Sequence, residues 1–176
     1  MRATKEQLLL GEWACLGILY PAPMHGFAIA ARLKPDGDIG RVWSLSRALT
    51  YRSLEQLRGR GLIRPVGEEP GLAGGNRTIL AATPTGRAQL RQWLRTPVVH
   101  LRDVRSELLL KLVVAESCAI EIADMLDRQR TLIADLAQAL VPPSDLGQPV
   151  DVVALWRNEF AEAVLRFLDR ARSGVV

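Results

Sequence analysis

Ser46-Arg-Ala-Leu-Thr-Tyr-Arg-Ser-Leu-Glu-Gln-Leu-Arg-Gly-Arg60 reads as a basic helix. It runs into Leu62-Ile-Arg-Pro-Val-Gly-Glu-Glu69, a strand, then Pro70-Gly-Leu-Ala-Gly-Gly-Asn-Arg77, a glycine-rich hairpin tip, and a return strand from Arg77 to Thr83. Ser46 is a good N-cap, because its hydroxyl can accept from a free amide of the first turn. Gly59 and Gly61 supply the flexible backbone that ends a helix near Arg60. A helix feeding a two-stranded wing is the working half of a winged helix-turn-helix. Such a helix fits the major groove of B-DNA, and a basic hairpin tip reaches the flanking backbone. The pattern therefore points to binding rather than to catalysis.

On a wheel of about 100° per residue, Thr50, Leu54 and Leu57 share one side and face a core. Ala48, Leu49, Arg52 and Gln56 lie opposite. A leucine exposed beside an arginine and a glutamine suits a face that meets base edges: Arg grips guanine, Gln pairs with adenine, and Ala or Leu touches a thymine methyl. Arg47 and Tyr51 lie at the flank, where phosphate contacts are expected. Asn76 and Arg77 at the tip are placed to reach the backbone or the minor groove, while Glu68 and Glu69 keep the rest of the strand away. An ordinary amphipathic surface helix fits the charge pattern of 46–60 about as well. The glycine-rich tip is no nucleotide-binding loop, since it lies between strands and lacks GxxxxGK[ST].

Upstream, Glu6 to Tyr20 is apolar almost all round, so it is either the centre of an N-terminal domain or part of a subunit interface. Pro21 and Pro23 end it. A second helix spans about His25 to Lys34, with Phe27, Ile29, Ala30 and Leu33 as its apolar stripe. Downstream, Thr83 or Thr85 caps a fourth helix with Pro84 in its first turn, which stops before Pro97. The remainder reads as helices over 103–116, 119–140 and about 150–172, with a loop from Pro142-Pro143 to Pro149. Ile122, Leu126, Gln129, Ile133, Leu136 and Leu140 repeat at 4-3-4-3-4, a heptad seam with one polar position. Val153, Trp156, Phe160, Ala163 and Phe167 repeat at 3-4-3-4. Two such seams suit a helical hairpin that packs on itself and on a second subunit; packing within one chain could also use both.

At 176 residues, 48% apolar and 24% charged, the chain has an ordinary globular composition. The net charge of +4 is unevenly spread: residues 1–100 hold 14 Lys+Arg against 7 Asp+Glu, and residues 101–176 hold 9 against 12. A basic binding half and a second half with another task are expected. Cys15 and Cys118 form no CxxC and no metal spacing, and read as buried reduced thiols of a cytoplasmic protein. The run Leu8 to Tyr20 is too short to span a membrane, and no signal-peptide pattern precedes it. His25 and His100 have no spaced Cys, Asp or Glu set suited to a metal, and no nucleophile motif is visible, so neither an enzyme nor a cofactor is expected.

The chain resembles the PadR-like family of transcriptional regulators, in its longer form with a helical C-terminal domain. The matching pieces are Pro23-Met-His-Gly-Phe-Ala-Ile29, Trp43-Ser-Leu-Ser46, Tyr51-Arg-Ser-Leu-Glu-Gln-Leu57, Gly61-Leu-Ile63, Thr83-Pro-Thr-Gly-Arg87, Trp93-Leu-Arg-Thr-Pro97 and Leu101-Arg-Asp-Val-Arg-Ser-Glu-Leu-Leu-Leu-Lys-Leu112. The resemblance implies a homodimeric winged-helix DNA-binding protein, usually a repressor, often ligand-responsive, whose C-terminal helices pair with the partner chain. It departs from the family at Ser46-Arg-Ala-Leu-Thr-Tyr51, where relatives typically carry Ser-Pro-Gly-Thr-Leu-Tyr. Thr50 thereby takes a core-facing place, at a cost unless its hydroxyl bonds back along the helix.

The expected architecture is mainly α with a small β-hairpin: a winged helix-turn-helix over 1–97 and an α-helical dimerisation domain over 98–176. The expected DNA-contacting residues are Ser46, Arg47, Ala48, Leu49, Tyr51, Arg52, Gln56, Asn76 and Arg77. Those expected at a dimer interface are Leu126, Ile133, Val153, Trp156, Phe160, Ala163 and Phe167. Expected partners are double-stranded DNA, a second copy of the chain and a small aromatic effector, with no membrane. Trp13, Trp93 and Trp156 are the candidate aromatic walls for that effector, with core packing as their other reading. The alternative function is a protein-interaction module of the same fold that has lost specific DNA binding.

Overall fold

Helix α1 (Leu10–Leu19) has apolar residues on nearly every side, so other elements must surround it. Every residue from Gly11 to Leu19 is buried. In the computed structural model, which describes residues 7–71, 75–139 and 151–174, the covering elements follow in chain order. They are β1 (Met24–His25), α2 (Gly26–Arg32), α3 (Arg47–Gly59), β2 (Ile63–Pro70), β3 (Asn76–Ala82), α4 (Pro84–Leu94) and α5 (Leu109–Ser117). A 3₁₀ turn at Leu101–Asp103 and a wider π-turn at Val104–Leu108 precede α5, and α6 (Ala123–Ala139) and α7 (Val152–Gly174) complete the chain. The first helix, expected from Glu6, starts only at Leu10, with residues 7–9 non-helical before it; the tip glycine Gly74, the seam position Leu140 and the loop from Pro142 to Pro149 lie outside the described residues.

The chain divides into two compact units. One comprises Met1–Leu94 with Leu109–Ile120, the other Arg95–Leu108 with Glu121–Val176. The segment 109–120, expected with the C-terminal half, thus packs in the first unit. The reason is local: α5 approaches α1 so closely that a Cβ on Gly17 would lie 2.6 Å from Cγ1 of Val114. Cys118 Sγ also lies 3.3 Å from the carbonyl of Gly17.

The sheet has three strands rather than two, antiparallel, in the order β1-β3-β2. β1 pairs Met24 with Leu80 and His25 with Ile79. Two residues between Pro23 and a helix are too few to show a period-two pattern, which is why the sequence conceals this strand. β2 and β3 form the wing, with an irregularity between Pro65 and Gly67. At its tip the amide of Gly71 donates to the carbonyl of Gly75, whose φ is +80°.

Thr83 caps α4. Its Oγ1 accepts from the amide of Gly86, and its own amide donates to the carbonyl of Leu62. α4 lies so near the start of β2 that only glycine fits at 86: a Cβ there would sit 2.2 Å from the carbonyl oxygen of Leu62. Within this unit Trp13 and Trp93 stack at 4.8 Å, almost parallel, and Lys111 Nζ lies 5.1 Å from the Trp93 ring centre.

In the second unit α6 and α7 pack together, and Arg130–Asp169 and Arg172–Asp127 pair across them in antiparallel sense. The hydrogen bond from Arg130 holds the Asp169 carboxyl below its ordinary range; exposed pairs like this contribute little stability. The polar position of the α6 seam has a clear use. Gln129 is fully buried, accepts from the amide of Val98 at 2.6 Å and donates to its carbonyl at 2.9 Å. One side-chain amide thus satisfies both backbone groups of a residue outside any helix or strand. Among the described residues, no helix is long and apolar enough to cross a membrane.

Two outcomes follow from this packing. Gly86→Ala meets a carbonyl that Thr83 already holds, so overpacking exceeds the helix-propensity gain of alanine and the net loss is about 2 kcal/mol, measured by urea unfolding. Burial, with Glu12 adding to it, pushes the Cys15 thiol up to about 12, and burial pushes Cys118 up to about 11. Cys15 is not expected to react with a disulfide reagent at pH 8 until the chain is unfolded, and its rapid labelling in the native protein would contradict the burial of α1; Cys118, expected to be buried, is only half-buried and is expected to label first.

Candidate nucleic-acid interface

α3 begins as its sequence requires. Ser46 Oγ accepts from the amide of Leu49 at 3.2 Å, and the chain enters with extended backbone at Ser46. Thr50 is completely buried, and its hydroxyl donates to the carbonyl of Ser46 at 3.0 Å. The back-bond satisfies a polar group that the core would otherwise penalise. Leu54 and Leu57 complete the buried side. The opposite side is open: Arg47, Ala48, Leu49, Tyr51, Arg52 and Gln56 are all exposed, Leu49 to 48%. The helix ends at Arg60, where the amide of Gly61, at φ +69°, donates to the carbonyl of Arg58.

Between the open side of α3, the start of α2 and the wing lies a cleft of about 830 Å³. Six of the nine expected DNA-contacting residues line it: Arg47, Ala48, Tyr51, Arg52, Asn76 and Arg77. Ser46 is the N-cap, while Leu49 and Gln56 are exposed outside this lining. The wing carboxylates are engaged within the protein. Glu68 accepts from Asn76 Nδ2 at 2.8 Å, and Glu69 lies 3.1 Å from His25 Nε2. His25 Nδ1 in turn accepts from the amide of Ala28, capping α2. That assigns the ring proton to Nε2, facing Glu69. One imidazole therefore joins the start of α2 to the wing.

The cleft also holds residues that the sequence did not single out for binding: Phe27, Glu55 and Arg58 among them. Phe27 corrects an expectation. Expected in the apolar stripe of the second helix, it is 50% exposed. The core stripe of α2 is Ile29, Ala30 and Leu33, and Phe27 sits roughly 110° round the helix from its centre at 100° per residue. Its ring instead carries cations: the guanidinium carbons of Arg47 and Arg77 each lie 5.6 Å from its centre. Arg47 lies 5.7 Å from the Tyr51 ring as well. The signal available in the sequence was the shortness of α2, which leaves room for only one apolar face.

The residues expected at a dimer interface divide. Leu126 and Ile133 are buried in the single chain. On α7, Ala161, Val164 and Leu168 are buried, while Val153, Trp156, Ala163 and Phe167 are exposed, Trp156 to 66%. Phe160 is half-buried and stacks on Trp156 at 5.9 Å. Of the candidate ligand walls, Trp13 and Trp93 cover each other's faces and are buried, so Trp156 alone of the three presents an open ring.

The fold is similar to solved structures. Bacillus subtilis PadR in complex with operator DNA is 19% identical over 92% of this chain and 97% of that one, with a TM-score of 0.47. Bacillus subtilis PadR without DNA is 18% identical over 97% of each chain, with a TM-score of 0.43. The protein smu.1604c from Streptococcus mutans UA159 is 15% identical over 94% and 99%, with a TM-score of 0.44. No protein-family model and no curated protein matches the chain.

Proposed function

We propose that this chain is a sequence-specific, double-stranded-DNA-binding transcriptional regulator of the cytoplasm, acting as a homodimeric repressor and not as an enzyme. The observation that carries the reading is the two-sidedness of α3. Thr50, Leu54 and Leu57 are locked into the core, and Ala48, Leu49, Arg52 and Gln56 are presented outward beside a wing whose acids are already engaged. Outward arginine, glutamine and leucine match guanine, adenine and the thymine methyl. Arg47, Tyr51 and Arg77 at the flanks serve the phosphates. Ser46, Ala48 and Asn76 complete the proposed contact set.

The exposed face of α7 supports self-association. Val153, Trp156, Phe160, Ala163 and Phe167 form one apolar stripe about 90° round the helix from the buried Ala161, Val164 and Leu168. A second copy placed on it would set two α3 helices on one side of a pseudo-palindrome, about 34 Å apart. Repression follows from obstruction of polymerase. A flat aromatic effector stacking on Trp156 would act by shifting that pairing and misaligning the two helices.

The test is a gel shift on the protein's own promoter region, with random DNA as competitor, at two salt concentrations. A shift that survives competitor supports specific regulation; one abolished by it leaves a non-specific binder. No shift at either salt, with a partner protein captured instead, would favour the interaction-module alternative. Arg52→Ala is expected to lose discrimination at one base pair, about 1–3 kcal/mol, whereas Arg77→Ala weakens binding to all sequences alike; an equal loss on every sequence for Arg52→Ala would refute its role. Trp156→Glu combined with Phe167→Glu is expected to yield monomers in sedimentation velocity with unchanged helicity, since the inner face of α7 is untouched. A persistent dimer would move the interface elsewhere.

A further inference from the structure

Phe27 is a large apolar side chain left half in solvent, yet two cations from separate elements converge on it. Arg47 comes from the first turn of α3 and Arg77 from β3, and each guanidinium carbon lies 5.6 Å from the ring centre. The two carbons therefore stand at most twice that distance apart. Neither arginine has an ion-pair partner among the described residues, because Glu69 faces His25 and Glu68 holds Asn76. Glu55, which lines the same cleft, pairs with neither. A guanidinium over an aromatic ring uses its face for the cation–π contact. Its N–H edges stay free to donate in the fork geometry that suits an oxyanion. Glu69 stands opposite Arg77 across the β2–β3 register, but its carboxylate is taken by His25 Nε2, so an oxyanion supplies a partner that neither guanidinium has among the described residues.

We propose that Phe27 is the positioning residue of a phosphate clamp, in which Arg47 and Arg77, both seated on its ring, grip one phosphate oxyanion at the rim of the cleft. The inference rests on the DNA-binding reading for its source of phosphate, a backbone phosphodiester; free phosphate offers the same chemistry. The clamp joins α3 to the wing through the ligand. It fixes how deeply α3 enters the groove while reading no base itself.

The test is a double-mutant cycle on the full-length protein, with a fluorescent duplex at several salt concentrations. Arg47→Ala and Arg77→Ala are each expected to weaken binding about tenfold, and the double variant by clearly less than about a hundredfold, because residues sharing one ligand are not additive. The salt dependence should lose about 0.9 in slope when both are removed. Phe27→Leu, which keeps apolar bulk but no ring, should weaken binding to all duplexes equally and abolish the coupling between the two arginines. Phe27→Tyr should restore both. Additive arginine effects, or wild-type binding by Phe27→Leu with unchanged circular dichroism, would overturn the clamp. Arginine side-chain N–H signals followed by NMR with inorganic phosphate separate the two readings. If no duplex binds but phosphate moves the Arg47 and Arg77 signals together, the clamp stands and the DNA reading falls. If neither ligand acts, both are overturned.

Discussion

Burial of α1 on all sides is the constraint from which the rest of the first unit follows. A helix with no polar face cannot sit at a surface, so α2, α3, α4, α5 and β3 must each give it an apolar side. For α3 that obligation is met by Thr50, Leu54 and Leu57, and meeting it fixes the helix about its own axis. Ala48, Leu49, Arg52 and Gln56 then have no choice but to point outward. The direction of the proposed reading face is thus a consequence of core packing, and it would change only if the core-facing triad changed.

Thr50 shows how narrow that constraint is. A threonine hydroxyl in a core is a liability, and the cheapest remedy is a bond to the carbonyl four residues earlier. Here that carbonyl belongs to Ser46, the N-cap, which already accepts from the amide of Thr50. The first turn is therefore held by three local bonds: the Ser46 side chain to Leu49, and the Ser46 carbonyl to both donors of Thr50. Leu49 can be spared from the core because Thr50 fills its place, and an exposed leucine becomes available for contact. The reversal of Leu and Thr relative to the resembling family is a local exchange of roles, accommodated without disturbing the helix start.

Much of this was legible in the sequence, and for identifiable reasons. The cap at Ser46, the core triad of α3, the glycines that end it and the hairpin rest on short-range rules, and the structure places them within a residue or two of expectation. What escaped depended on long-range geometry. β1 exists only because β3 lies beside it. Gly86 is dictated by the carbonyl of Leu62, 24 residues earlier in the chain. The cleft lining required knowing that a half-exposed Phe27 meets side chains from α3 and β3. Periodicity also hid which of two apolar stripes on α7 turns inward. The larger residues Trp156, Phe160 and Phe167 carry the seam spacing, but the smaller Ala161, Val164 and Leu168 are the buried ones on the helix that packs with α6. Small residues let two helices approach; the bulky ones, about a quarter-turn away, are then left largely without cover.

That division has a consequence for how the two halves of the proposed function connect. The stripe left open on α7 is rich in aromatic area, the kind of surface that contributes most per residue to association and that monomers seldom expose. The charge pattern is arranged to match: the acidic excess lies in residues 101–176, away in sequence from the basic α3. A face that pairs through aromatic contact is indifferent to salt, whereas a face that holds phosphates is strongly salt-dependent. The two interactions assigned to this chain therefore rest on different physics. Raising the ionic strength should release DNA while leaving the self-associated form intact, so that each can be altered without the other.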